Sequence, residues 1–145
     1  MAQKKNKILF LCTGNSCRSQ MAEGWARHLK SDILEPYSAG IEKHSLNQMA
    51  VKVMAEAGID ISKQASTLID ELPVQNFDYV ITVCSHAHES CPLFPGEAKI
   101  IHKGFDDPPR LAEGAESEEM VLACYRRVRD EIREYVEHLP ETLQD

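Results

Sequence analysis

A chain of 145 residues that is 43% hydrophobic and 27% charged can bury one substantial core and needs no second domain, so residues 1–145 are read as a single unit. Its net charge of −7 argues against nucleic acid or an anionic membrane as partner, because both select a basic face, and Lys4, Lys5 and Lys7 are too few to supply one. No apolar run is long enough for a bilayer and no signal-peptide h-region opens the chain, so a cytoplasmic location is expected; the chain is expected to be a monomer. In that compartment five cysteines read as catalytic, redox or metal-binding groups.

The first element is the apolar run Ile8-Leu9-Phe10-Leu11, a buried strand. Gly14 and Asn15 permit a tight turn, and Gln20 to Leu29 has helical character. Between strand and helix lies Cys12-Thr13-Gly14-Asn15-Ser16-Cys17-Arg18. The amides of Thr13 to Cys17, together with the helix N-terminus, form a cradle for an oxyanion, since unpaired N–H donors and the helix dipole both favour negative charge. Arg18 adds a planar fork of donors that fits a tetrahedral oxyanion. The same field favours a thiolate at Cys12, the form in which a cysteine is a nucleophile. Cys12 and Arg18 alone are equally compatible with a small buried cysteine and a surface arginine; the surrounding strand, turn and helix favour the anion loop.

Ile33 to Ser38 reads as a second strand, placed at a sheet edge by Pro36, which cannot donate to a ladder. A helix from about Asn47 to Ala57 turns Met49, Val53 and Met54 inward and stops at Gly58. Thr67 to Leu72 reads as a short helical turn. Tyr79-Val80-Ile81-Thr82-Val83 is a central buried strand that ends at Cys84, and Lys99 to His102 is a fourth strand. From the Ser117 N-cap, the spacing of Val121, Cys124, Val128, Ile132, Val136 and Leu139 predicts a long amphipathic helix. Alternating strands and helices imply a doubly wound α/β fold with a four-stranded parallel sheet. Ligands of such sheets bind beyond the carboxyl ends of the strands, where both Cys12 and Cys84 emerge.

Cys84-Ser85-His86-Ala87-His88-Glu89-Ser90-Cys91-Pro92 separates two thiols by seven positions. On a fixed helix they lie about 10 Å apart, whereas a disulfide needs Cα atoms within about 7 Å, so bridging them requires the segment to unwind. A zinc site of Cys84, His86, His88 and Cys91 has suitable ligand types, but four ligands so close in sequence make a poor tetrahedron. Two unrelated loop cysteines are the plain alternative. Gly104-Phe105-Asp106-Asp107-Pro108 places carboxylates after the fourth strand; Asp107 suits a proton donor, and Asp106 a turn cap. Cys124 and Trp25 read as core residues, and Cys17 as a spectator or a partner for Cys12.

With these pieces the chain resembles the low-molecular-weight tyrosine phosphatases. Within them it is similar to the thioredoxin-coupled arsenate reductases, from Ile8 to about Val136. The resemblance rests on Cys12 to Gly24, Tyr37-Ser38-Ala39-Gly40-Ile41-Glu42, the Cys84/Cys91 pair and Gly104 to Pro108. Gln20, where the phosphatases carry Pro, and the two extra thiols separate it from a phosphatase, which is the alternative function.

The resemblance implies a relay. Cys12 attacks arsenate held by Arg18 and the amides of Thr13, Gly14, Asn15, Ser16 and Cys17; Asp107 protonates the departing oxygen; Ser19 stabilises the thiolate. Cys84 then displaces arsenite, and Cys91 takes over the disulfide. Thioredoxin is the implied partner, phosphate and sulfate are implied substrate analogues, and no organic cofactor is implied. Relatives with a structural potassium ion hold it by residues matching Asn15, Glu23 and Ser38 plus an Asp; Thr67 stands at that fourth position, which argues against potassium here.

Overall fold

The computed structural model describes residues 5–84, 98–139 and 141. Four parallel strands, β1 (Asn6–Cys12), β2 (Leu34–Gly40), β3 (Tyr79–Thr82) and β4 (Lys99–His102), form one sheet in the order β2-β1-β3-β4. Around it lie α1 (Arg18–Lys30), α2 (Gln48–Glu56), a 3-10 turn at Ile69–Glu71, the short α3 (Pro108–Leu111) and the long α4 (Glu118–Glu137). The sheet bears out the doubly wound α/β expectation. No helix among the described residues is long and apolar enough to cross a membrane.

The strand order explains where chemistry can sit. From β1 the chain moves through α1 to β2 on one side, then returns to add β3 on the other. The switch point of the sheet therefore lies at the carboxyl ends of β1 and β3, where a sheet of this order has its crevice. Leu11 pairs with Thr82, so Cys12 and Cys84 both leave the sheet beside that crevice. Pro36 occupies edge strand β2, where its missing N–H costs no interior ladder bond.

Helix termini follow their local chemistry. The Asn47 side chain accepts from the Ala50 N–H at the start of α2, and Gly58, at φ 86°, ends that helix in a conformation that penalises a Cβ. The Ser117 side chain accepts from the Met120 N–H, and Glu118 and Glu119 lie in the first turn of α4, the positive end of its dipole.

The core joins Ile8, Leu9, Phe10 and Leu11 of β1 to Met21, Trp25 and Ala26 of α1 and to Val128, Ile132 and Val136 of α4. At the start of α4 the buried row is Leu122 and Tyr125, whereas the expected Val121 and Cys124 are only partly buried. Neighbouring rows of one helix satisfy a 3.6-residue period almost equally, and here a tertiary contact decides between them. The Tyr125 hydroxyl accepts from the Asn47 side chain at 3.1 Å, which draws that row inward.

Ile132 is fully buried in this core, so Ile132→Ala removes packing that the backbone cannot fully replace. The expected cost is about 2–5 kcal/mol in urea denaturation. An unchanged midpoint contradicts this packing.

Candidate active site

Between β1 and α1 the chain closes into a loop whose carbonyls are all engaged on its outer side. The Cys12, Thr13 and Gly14 carbonyls accept from the amides of Ile41, Glu42 and His44, and the Ser16 carbonyl accepts from the amide of Asn47. The Gly14 carbonyl also accepts from Ser66 Oγ, and the Asn15 carbonyl accepts from Gln20 Nε2 at 2.8 Å. In a planar trans peptide each N–H points opposite to the preceding carbonyl. The amides of Thr13, Gly14, Asn15, Ser16 and Cys17 are thereby directed into the loop, as an oxyanion cradle requires.

Two glycines permit this closure. A Cβ on Gly40 would lie 2.8 Å from the Asn15 nitrogen and 2.5 Å from the Glu42 oxygen, both backbone atoms that cannot give way. A Cβ on Gly14 would meet the His44 ring. Asn15 takes the left-handed conformation at φ 50°, which an Asn tolerates better than most side chains.

Behind the loop, Cys12 Sγ lies 2.9 Å from Ser19 Oγ, and both residues are buried. Asn15 Nδ2 donates to Ser19 Oγ at 2.8 Å, while Asn15 Oδ1 accepts from the Thr67 N–H at 2.7 Å. Because the Thr67 contact sets which way the Asn15 amide faces, the Ser19 oxygen receives a donor from Asn15 and its own hydrogen is available to the Cys12 sulfur. The arrangement suits an anionic sulfur, which accepts and does not donate.

Arg18 begins α1, with Nη1 donating to the Phe105 carbonyl at 2.9 Å and Nη2 standing 3.7 Å from Asp107 Oδ1. Arg18, Asp107, Thr13 and Cys84 share the wall of one cleft of about 690 Å³. Arg110 lines it as well, a residue the sequence reading assigned no role; its position three residues after Asp107, on the turn of α3, was the available signal. Asp106 is turned to α4, paired with Arg127, and so anchors the segment that carries Asp107.

Cys84 is buried at the end of β3, with Sγ 3.2 Å from Thr13 Oγ1. The Thr13 side chain thus faces the second thiol, an orientation that the loop spacing did not reveal. Cys91, and with it His86 and His88 of the alternative zinc set, lies outside the described residues. Among the described residues no cluster of three or more His, Cys, Asp or Glu side chains is arranged to hold a metal.

The potassium donor set fits poorly. Glu23 accepts from Ser38 Oγ at 2.5 Å and from Arg27 at 2.6 Å, so a guanidinium already neutralises it. The Asn15 side chain is spent on Ser19 and Thr67, and Thr67 Oγ1 donates to the Ala65 carbonyl.

Cys17 is buried, and burial pushes its thiol up, with the Asp107 charge adding to the effect and Arg18 opposing it. It stays a neutral thiol at working pH, which leaves only its backbone N–H to face the loop. At pH 8 iodoacetamide is expected to label Cys12 in the native protein and leave Cys17 unmodified, as read by peptide mass mapping. Labelling of Cys17 at the rate of Cys12 contradicts the assignment.

Comparison with known proteins agrees with this geometry. The arsenate reductase of Bacillus licheniformis is 55% identical over 138 residues, 95% of this chain and 97% of that one. The arsenate reductase of Bacillus subtilis is 53% identical over 139 residues, 95% of this chain and 98% of its own. A solved arsenate reductase in the phosphate binding state superposes with a TM-score of 0.74 at 30% identity, covering 96% of this chain and 99% of that one. Residues 7–145 match the family described as low molecular weight phosphotyrosine protein phosphatase, and the chain belongs to that family.

Proposed function

We propose that this protein reduces arsenate to arsenite through a relay of Cys12, Cys84 and Cys91, recycled by thioredoxin. The observation that carries the reading is the second thiol: Cys84 sits in the same cleft as Arg18 and Asp107, at the mouth of the anion loop. A phosphatase releases its cysteine adduct to water and has no use for a thiol there. The relatives named above, at more than half identity, are arsenate reductases.

In the proposed sequence arsenate enters the cradle with its charge met by the loop amides and Arg18. The Cys12 thiolate, hydrogen-bonded by Ser19, attacks arsenic and forms an S–As bond while an oxygen leaves as water, protonated from Asp107. Cys84 then attacks the Cys12 sulfur. The S–As bond breaks with its electron pair going to arsenic, which is reduced by two electrons and departs as arsenite, leaving a Cys12–Cys84 disulfide. Cys91 attacks Cys84 and expels Cys12 as a thiolate, and the dithiol of thioredoxin reduces the resulting Cys84–Cys91 disulfide.

Arsenate-dependent NADPH oxidation, coupled through thioredoxin and thioredoxin reductase, checks the reading. Turnover is expected in the wild type and background rates in Cys12→Ser, Cys84→Ser and Cys91→Ser. Undiminished multiple turnover in Cys91→Ser overturns the last step, and wild-type inactivity overturns the function.

A further inference from the structure

One of the five loop carbonyls is held differently from the others. Those of Cys12, Thr13, Gly14 and Ser16 are met by main-chain amides of the segment from Ile41 to Asn47. The Asn15 carbonyl is met instead by a side chain, Gln20 Nε2, at 2.8 Å. Gln20 lies in the first turn of α1 and is fully buried, as is Asn15. Its second Nε2 hydrogen goes to the Ala65 carbonyl at 3.0 Å, and its Oε1 accepts from Gln64 Nε2 at 2.7 Å. Both donors of this amide are therefore committed in fixed directions, which locks the side chain in place.

We infer that Gln20 is a positioning residue for the anion loop: its side-chain amide clamps the Asn15–Ser16 peptide so that the Ser16 N–H faces the bound oxyanion. This rests on the reading of the loop as the arsenate site. The argument follows from the left-handed Asn15. At φ 50° the chain reverses locally, and none of the Ile41 to Asn47 amides that serve the neighbouring carbonyls bonds to this one. Left without a donor, that buried carbonyl would seek another partner by rotating its peptide plane, and the same rotation would turn the Ser16 N–H away from the cradle. Gln20 prevents the rotation and also ties the loop to residues 64–67, whose Ser66 and Thr67 hold Gly14 and Asn15 from behind. A proline, with no side-chain amide, cannot perform this clamp.

Gln20 makes no contact with the reacting atoms in this account, so its effect is on binding geometry. The control is Gln64, which touches the same amide but no loop atom. Inorganic phosphate serves as the probe, by calorimetric titration of the full-length protein, with urea denaturation in parallel. Gln20→Met, which keeps the volume and removes both donors, is expected to weaken phosphate binding at least about fivefold, while Gln64→Met stays within about twofold at a comparable loss of stability. If Gln20→Met does not fold, Gln20→Ala is read by the same criterion. Phosphate affinity in the Gln20 variant equal to wild type, or an equal loss in Gln64→Met, overturns the inference. Because phosphate binding requires no arsenate turnover, failure of this test is distinguishable from failure of the proposed function.

Discussion

Five consecutive carbonyls turned outward, from Cys12 to Ser16, are the constraint on which the site depends. A buried carbonyl without a donor costs on the order of 1–3 kcal/mol, so each must find one, and the partners dictate how the chain around the loop is laid. Four come from the main chain after β2, which must therefore run beside the loop. That path requires β2 to lie next to β1, and it requires Gly40 at the crossing, because any Cβ there would strike the Asn15 and Glu42 backbones. The cradle is a by-product of satisfying carbonyls: once they face out, the amides face in.

The second constraint is topological. The sheet reverses direction of growth at β1, and the crevice opened between the ends of β1 and β3 receives a thiol from each side. Cys12 comes with its own hydrogen-bond support from Ser19 and Asn15, while Cys84 arrives beside Thr13 at the cleft wall. Arg18 spans the two: it starts the helix behind the loop and reaches the Phe105 carbonyl beyond β4. One thiol lies in the loop and another at its mouth, which is the arrangement that the proposed redox relay would use and hydrolysis would not.

Much of this was legible in the sequence where a local rule acts alone. The β1 run, the edge position of Pro36, the Asn47 and Ser117 caps, and the emergence of Cys12 and Cys84 at one sheet edge all follow from period, missing donors or strand ends. What escaped depends on contacts distant along the chain. The row Leu122 and Tyr125 buries in place of Val121 and Cys124 because Asn47 reaches the Tyr125 hydroxyl. The Thr13 side chain turns to Cys84 across 71 positions, and Gln20 marks itself in the sequence only as a residue that replaces an expected proline. No spacing rule encodes which carbonyl lacks a main-chain partner.

The central claim is that the Cys12 adduct leaves through Cys84. A single-turnover reaction of the reduced Cys91→Ser protein with stoichiometric arsenate, quenched by alkylation in denaturant and mapped by non-reducing peptide mass spectrometry, tests it most directly. The account predicts stoichiometric arsenite and a Cys12–Cys84 disulfide, with Cys17 and Cys124 alkylated as free thiols. Arsenite released with Cys12 bonded to Cys17, or with no disulfide formed, would contradict it.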